Sequence, residues 1–283
     1  MAKRKSYRSP GARFRRALEL EEPLQIPGVI NAYAARLAER AGFRAIYLSG
    51  AGVANGSYGL SDTGITRLDD VLIDVRRIAG ATELPLLVDA DTGWSNPAKT
   101  VREMARAGAA GIHLEDQIEA KRCGHLGGKK LVRPANMVAR IKAACRARDD
   151  ADFIVMARTD AYAVEGPGAA IERARAYREA GADMIFAEAL PSVGAYREFI
   201  RAVRAPVLAN ITEFGKTPLL SVKQLRRAGV AMALYPLSAF RAMNAAALEV
   251  YHEVRKRGTQ AKLLSRMQTR AELYKILGYE AKS

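Results

Sequence analysis

The chain has 283 residues, 49% of them hydrophobic and 27% charged, which suffices for one sizeable core under an ordinary soluble surface. No apolar run reaches the roughly 20 residues that span a bilayer, which argues against a transmembrane helix and a membrane partner. The formal charge is +15, and Lys3, Arg4, Lys5, Arg8, Arg13, Arg15 and Arg16 contribute to it from the first sixteen residues, where no acid stands.

That basic start reads as a solvated N-terminal arm over residues 1–16. An arm of this kind can touch nucleic acid, and an Arg-rich, acid-free start also fits an organelle transit peptide. The stretch is short and runs straight into a helical pattern. The chain lacks aromatic-plus-basic RNA signatures and zinc-finger spacing, so no nucleic-acid partner is expected. Cys123 and Cys145 are distant and unlike, which does not read as a disulfide framework, and a reducing cytoplasm is the simplest compartment.

The predicted elements alternate along the chain. A short strand at 28–31 precedes a helix at 32–41, and an Ala-Gly pair then leads into a strand ending at Ser49. Helix 67–79 is followed by strand 84–89, helix 97–107 by the run ending at Glu115, and helix 134–148 by strand 153–158. Helix 168–180, the run ending at Glu188, helix 193–203, strand 206–211, helix 219–228 and the run ending at Pro236 complete the series before a long helix at 238–257. Ala-Gly recurs at 41–42, 107–108, 180–181 and 228–229, each time as a helix C-cap that lets the backbone turn left-handed into a buried strand. Eight strands alternating with eight helices predict an α/β fold, a single (β/α)8 TIM barrel domain over residues 1–283, with C-terminal helices at 238–283.

Active sites of such barrels lie at the C-terminal ends of the strands. The residues there are Asn31, Ser49 with Gly50, Asp89 with Asp91, His113 with Glu115, Arg158-Thr159-Asp160, Glu188, Asn210 with Thr212, and Tyr235-Pro236. Asp89 and Asp91 would share a face of an extended strand, and Glu115 and Glu188 would converge on them. Such hard oxygen donors suit Mg²⁺, or Mn²⁺; the competing reading is that either aspartate caps the following turn or helix. His113, His125 and His252 show no zinc-ligand spacing. Arg158 could clamp a carboxylate or pair with Glu188 or Asp160. Residues 117–131 hold three glycines and several cations but no helix or strand pattern, which predicts a mobile lid over the mouth. Cys123 stands there among cations beside His125, surroundings that lower a thiol pKa.

Lys121-Arg122-Cys123-Gly124-His125 matches the signature of isocitrate and methylisocitrate lyases. The likeness continues through Tyr47-Leu-Ser-Gly50, Leu87-Val-Asp-Ala-Asp-Thr-Gly93, His113-Leu-Glu-Asp116, Met156-Ala-Arg-Thr-Asp160, Asn210-Ile-Thr-Glu213 and 233–241. The chain thus resembles the isocitrate lyase and phosphoenolpyruvate mutase superfamily over most of its length. Its shortness, with Phe186, Leu234 and Pro236, resembles the methylisocitrate form, whose pocket admits one extra methyl. The resemblance implies retro-aldol cleavage of a small tricarboxylate, 2-methylisocitrate, to pyruvate and succinate, the chemistry of propionate catabolism through the 2-methylcitrate cycle. It implies Mg²⁺ on Asp89 and Asp91, with Glu115 acting through water. Ser49, Gly50 and Ala51 would contact a substrate carboxylate, and Gly124, Arg158, Glu188, Asn210, Thr212, Arg241 and Arg270 would complete the site. Cys123 would be the acid–base residue beside His125, and Tyr47 is a candidate for removing the hydroxyl proton. The resemblance also implies a homotetramer with helix 238–257, or its successor, exchanged between subunits. Isocitrate cleavage and oxaloacetate decarboxylase or phosphoenolpyruvate mutase-like chemistry stay open as alternatives, as does nucleic-acid binding through the arm. Ala51 in place of a glycine, a shortened stretch at 92–97 and Trp94 within it depart from the pattern.

Overall fold

The structure, a computed structural model, describes residues 9–119 and 128–279. In chain order the elements are α1 (Pro10–Leu20), β1 (Leu24–Pro27), α2 (Ala32–Arg40), β2 (Ile46–Leu48), the single turn α3 (Gly50–Gly52), α4 (Leu68–Ala79), β3 (Leu86–Asp89), α5 (Pro97–Arg106), β4 (Gly111–Glu115) and α6 (Pro134–Arg146). There follow β5 (Ile154–Thr159), α7 (Tyr162–Glu165), α8 (Pro167–Glu179), β6 (Met184–Ala187), α9 (Val193–Val203), β7 (Val207–Asn210), α10 (Val222–Ala228), β8 (Met232–Tyr235), α11 (Ser238–Arg257) and α12 (Arg270–Leu277).

Local chemistry sets these boundaries. Asn96 caps α5 by accepting from the Lys99 N–H at 3.0 Å, and Pro97 opens the helix where no N–H is needed. Ser221 and Gln224 form a reciprocal capping box on α10, and Gly229 ends it at φ 84°. Every residue of β3 to β7 is buried, as parallel strands covered on both faces require.

All eight strands pair in parallel, β1 to β8 and then down in order to β2. A parallel bridge from Gly28 to Tyr47 closes the ring, and the Val29 N–H donates to the Tyr47 carbonyl at 2.8 Å. A Cβ on Gly28 would lie 1.7 Å from the Pro236 carbonyl oxygen, so glycine is needed at this seam. The barrel follows the sequence-based expectation.

Two buried layers result. One fills the space between strands and helices; the other fills the barrel interior, where Leu24, Ile26, Leu87, Met156, Phe186 and Leu208 meet Phe14 and Ala17 of α1.

Three expectations change. The first strand is β1, four residues before the predicted 28–31, and Asn31 caps α2 by accepting from the Ala34 N–H at 2.8 Å. Residues 10–16, read as part of a solvated arm, belong to α1 instead. Phe14 is fully buried, Arg15 pairs with Asp183 at 2.9 Å, and Arg13 lies 3.7 Å from Glu83, so part of the positive charge is structural. α11 has 20 residues and none of them is buried, nor is any residue of α12. Among the described residues no helix is long and apolar enough to cross a membrane.

Candidate active site

Side chains alternate along a strand, so the residue two positions beyond an interior one also faces inward. From Leu87, Met156, Phe186 and Leu208 that step leads to Asp89, Arg158, Glu188 and Asn210. The barrel interior therefore changes from apolar to charged within one layer, at the C-terminal mouth.

Asp89 ends β3, and the chain then turns. Asp91 adopts φ 47°, a left-handed conformation that aspartate tolerates better than most residues. The turn, and not the extended alternation expected from sequence, brings the two carboxylates together. They meet over Gly50, where an added Cβ would lie 3.1 Å from Asp89 Oδ2 and 3.4 Å from Asp91 Oδ1. The Gly50 N–H donates to Asp89 Oδ2, and the Asp91 N–H to Asp89 Oδ1, both at 3.1 Å. Both aspartates are 6% exposed. Neither caps α5, a task that falls to Asn96. The shortened stretch after them is a tight turn in which Gly93, Trp94 and Ser95 all have positive φ, held by the Trp94 indole N–H on the Thr66 carbonyl at 2.9 Å.

Register places Glu115 beside Arg158, and Arg158 beside Phe186. The guanidinium reaches three carboxylates: Asp160 at 2.9 Å, Glu188 at 3.0 Å and Glu115 at 3.4 Å. It also lies 5.0 Å from the Phe186 ring centroid. Burial alone would lower its pKa, but Asp160, Glu188 and Glu115 outweigh that and hold it well above the usual arginine value. Both ion pairs foreseen for Arg158 are thus present together. Asn210 Nδ2 stands 3.4 Å from each Glu188 oxygen.

His113 lies inside the barrel, fully buried, stacked on Tyr47 and edge-on to Phe186. Its Nε2 is 2.8 Å from the Tyr47 hydroxyl and 3.6 Å from Asp89 Oδ1, which links Tyr47 to the aspartate pair. Ser49 and Thr212 are buried at the ends of β2 and β7, and Ala51 is half-buried beside them. Arg241, in the first turn of α11, lies 3.8 Å from Glu213, with its side chain 46% exposed. Arg270 opens α12 and is exposed. Cys123, Gly124 and His125 lie outside the described residues.

Two features escaped the sequence reading. Lys129, counted there among lid cations, is buried and donates to Asp160 at 2.8 Å. Asp116, one residue past β4, accepts from the Thr159 and Tyr177 hydroxyls at 2.8 and 2.9 Å and from the Asp160 N–H at 3.0 Å. Burial, followed by the effect of the Asp160 charge, pushes the Asp116 carboxyl above its ordinary pKa, despite those hydrogen bonds. The signal available in sequence was an acid directly after a strand-end glutamate.

Among the described residues no group of three or more His, Cys, Asp or Glu side chains is arranged to hold a metal by itself. Mg²⁺ rarely needs such a cage, since it keeps several waters and takes one or two carboxylates plus substrate oxygens. The convergence of Asp89 and Asp91 over a side-chain-free glycine fits that pattern.

Carboxylates and a buried guanidinium at the C-terminal mouth of a (β/α)8 barrel define an enzyme of the barrel class. The family model described as phosphoenolpyruvate phosphomutase matches residues 14–255. A 2-methylisocitrate lyase of Escherichia coli (strain K12) is 60% identical over 278 residues, which cover 97% of this chain and 94% of that protein. The chain belongs to the 2-methylisocitrate lyase family, within the phosphoenolpyruvate mutase and isocitrate lyase superfamily. Among solved structures, 2,3-dimethylmalate lyase superposes with a TM-score of 0.89 at 35% identity, covering 96% of this chain and 92% of that one. Phosphonopyruvate hydrolase, in complex with oxalate and Mg²⁺, does so with a TM-score of 0.84 at 28% identity, covering 96% and 95%.

Proposed function

We propose that the chain cleaves 2-methylisocitrate to pyruvate and succinate in an Mg²⁺-dependent retro-aldol reaction, with Cys123 as proton donor. The observation that carries this reading is the pairing of Asp89 with Asp91 over Gly50, beside the buried Arg158. The family membership selects the substrate. Mg²⁺ in a phosphonopyruvate hydrolase of the same architecture supports the choice of metal, and Mn²⁺ suits the same oxygen donors.

Asp89 and Asp91 would hold the metal, with Glu115 acting through water, and the metal would supply Lewis-acid stabilisation of negative oxygen. The substrate hydroxyl loses its proton as the adjacent carbon–carbon bond breaks, and that carbon becomes the keto carbon of pyruvate. Tyr47, hydrogen-bonded to His113, is the candidate acceptor of the proton. The bonding pair stays with the succinate half and spreads into its carboxylate. Arg158, with a pKa far above neutrality, keeps its full charge there to stabilise that anion. The Cys123 thiol, two positions from His125 in the sequence, would then protonate the carbon and complete succinate. Ser49, Gly50, Ala51 and Thr212 would position substrate carboxylates, with Gly124, Glu188, Asn210, Arg241 and Arg270 completing the enclosure. Phe186, Leu234 and Pro236 would shape the floor for the extra methyl, the first two from the buried layer beneath the mouth.

The bare length of α11 supports assembly into a homotetramer with exchanged C-terminal helices. A catalytic thiol suits the reducing cytoplasm.

Purified protein with Mg²⁺ should release pyruvate from 2-methylisocitrate faster than glyoxylate from isocitrate. Absence of pyruvate sinks the proposal, and a preference for isocitrate moves the assignment to its neighbour in the superfamily. Light scattering reads the assembly.

A further inference from the structure

Asp160 is fully buried and binds two cations at once. Its Oδ1 accepts from Lys129 at 2.8 Å and from Arg158 Nη2 at 3.3 Å, while its Oδ2 accepts from Arg158 Nε at 2.9 Å. The Lys129 side chain is 2% exposed, so this ammonium is a buried charge with a fixed address. Both partners are held from outside the pair. The Asp160 N–H donates to Asp116. The chain around Lys129 is laced to the end of β4: Gln117 bridges Leu131, the Ile118 N–H donates to the Lys130 carbonyl at 3.0 Å, and the Val132 N–H to the Asp116 carbonyl at 2.9 Å.

The charges around Arg158 make Lys129 consequential. Asp160, Glu188 and Glu115 all reach the Arg158 guanidinium, and Asp89 and Asp91 stand at the same mouth. A polyanionic substrate has to approach this acidic ring. Lys129 gives Asp160, one of the three, a second cation. Without it, Asp160 would draw Arg158 toward itself, and a buried charge would be left undercompensated.

We propose that Lys129 is a positioning residue that neutralises Asp160 and thereby keeps Arg158 available, at the right angle, for a substrate carboxylate. This rests on the reading that Arg158 receives such a carboxylate. A lysine that merely stiffened the fold would act on melting temperature and leave the binding of substrate unchanged.

The test is a set of variants assayed for 2-methylisocitrate cleavage. Lys129→Met should raise KM about tenfold or more and lower kcat about tenfold as well, since Arg158 also stabilises the developing anion, and Lys129→Arg should recover most of both losses. Because Lys129 acts through Asp160, the double variant Lys129→Met/Asp160→Asn should have a KM within about threefold of Asp160→Asn alone. A KM for Lys129→Met within twofold of the parent, or additive losses in the double variant, overturns the assignment. If Lys129→Met does not fold, Lys129→Gln and the double variant carry the same comparison, since the latter removes both buried charges together. If the parent protein releases no pyruvate, the functional reading fails separately, and calorimetry with succinate then reads Lys129. Tenfold weaker succinate binding in Lys129→Met, recovered by Lys129→Arg, supports the role; equal affinities, or no binding to the parent protein, overturn it.

Discussion

Replacing Gly50 by alanine should separate activity from stability. Gly50 opens a single helical turn, and its φ lies outside the left-handed region, so alanine fits the backbone there. Restricting the unfolded chain would by itself stabilise the protein by roughly 0.4–1 kcal/mol. The new Cβ would meet Asp89 Oδ2 at 3.1 Å, Asp89 Cγ at 3.3 Å and Asp91 Oδ1 at 3.4 Å. These contacts are close enough that the carboxylates must yield by a few tenths of an ångström. A misplacement of about 1 Å can cost on the order of a hundredfold in rate, so a third to a half of that costs about five- to tenfold. Titrating Mg²⁺ while following pyruvate release should therefore show kcat/KM reduced about five- to tenfold and a raised Mg²⁺ requirement, with an unchanged or higher melting temperature. Unaltered Mg²⁺ dependence, or activity lost only in step with a lowered melting temperature, refutes the placement of the metal at this pair.

Other perturbations test the rest of the molecule. Arg158→Met removes the guanidinium that Glu115, Asp160 and Glu188 all reach and should destabilise the fold by about 3–5 kcal/mol while reducing pyruvate release more than a hundredfold, read by denaturant titration and single-point assay. Phe14→Ala removes a fully buried ring from the end of the barrel remote from the mouth. It should cost about 3–5 kcal/mol in denaturant titrations and keep kcat within twofold at a temperature where the variant stays folded. Cys123→Ser should bind substrate, by calorimetry, but turn over at under about a hundredth of the parent rate, since a hydroxyl is a far weaker acid. Chelation with EDTA should abolish pyruvate release, and added Mg²⁺ should restore it.

The barrel was legible because its signals are periodic and redundant. Ala-Gly caps recur before strands, and apolar runs such as Leu86–Asp89 carry no competing pattern. β1 escaped because it is only four residues long, with two buried positions, Leu24 and Ile26, closed in by Pro23 and Pro27. α1 was masked by its own charge. Arg13, Arg15 and Arg16 dominate its composition, while Phe14 and Ala17, three apart on one face, are what attach it. At the mouth, Asp89, Asp91, Glu115, Arg158 and Glu188 could be found because strand-end position and residue type coincide. Lys129 could not, because nothing in a run of glycines and cations says which cation will be buried; that follows from the bridge between Gln117 and Leu131. The proximity of Asp91 to Asp89 depends on a left-handed turn that period-two reasoning does not produce.

The attachment of α1 also orders events in time. The helix is synthesised before the barrel it packs on, yet Arg15 bonds to the Asp152 carbonyl, 137 positions later, and to Asp183, 168 positions later. Gly11 packs so closely on Asp152 that a Cβ would come within 2.3 Å of its carbonyl oxygen. At synthesis rates of about 5–20 residues per second, the helix waits on the order of ten to thirty seconds for its docking surface to be made. A short, strongly basic and weakly apolar helix suits that interval, since it stays hydrated and resists self-association until β5 and β6 exist to receive it.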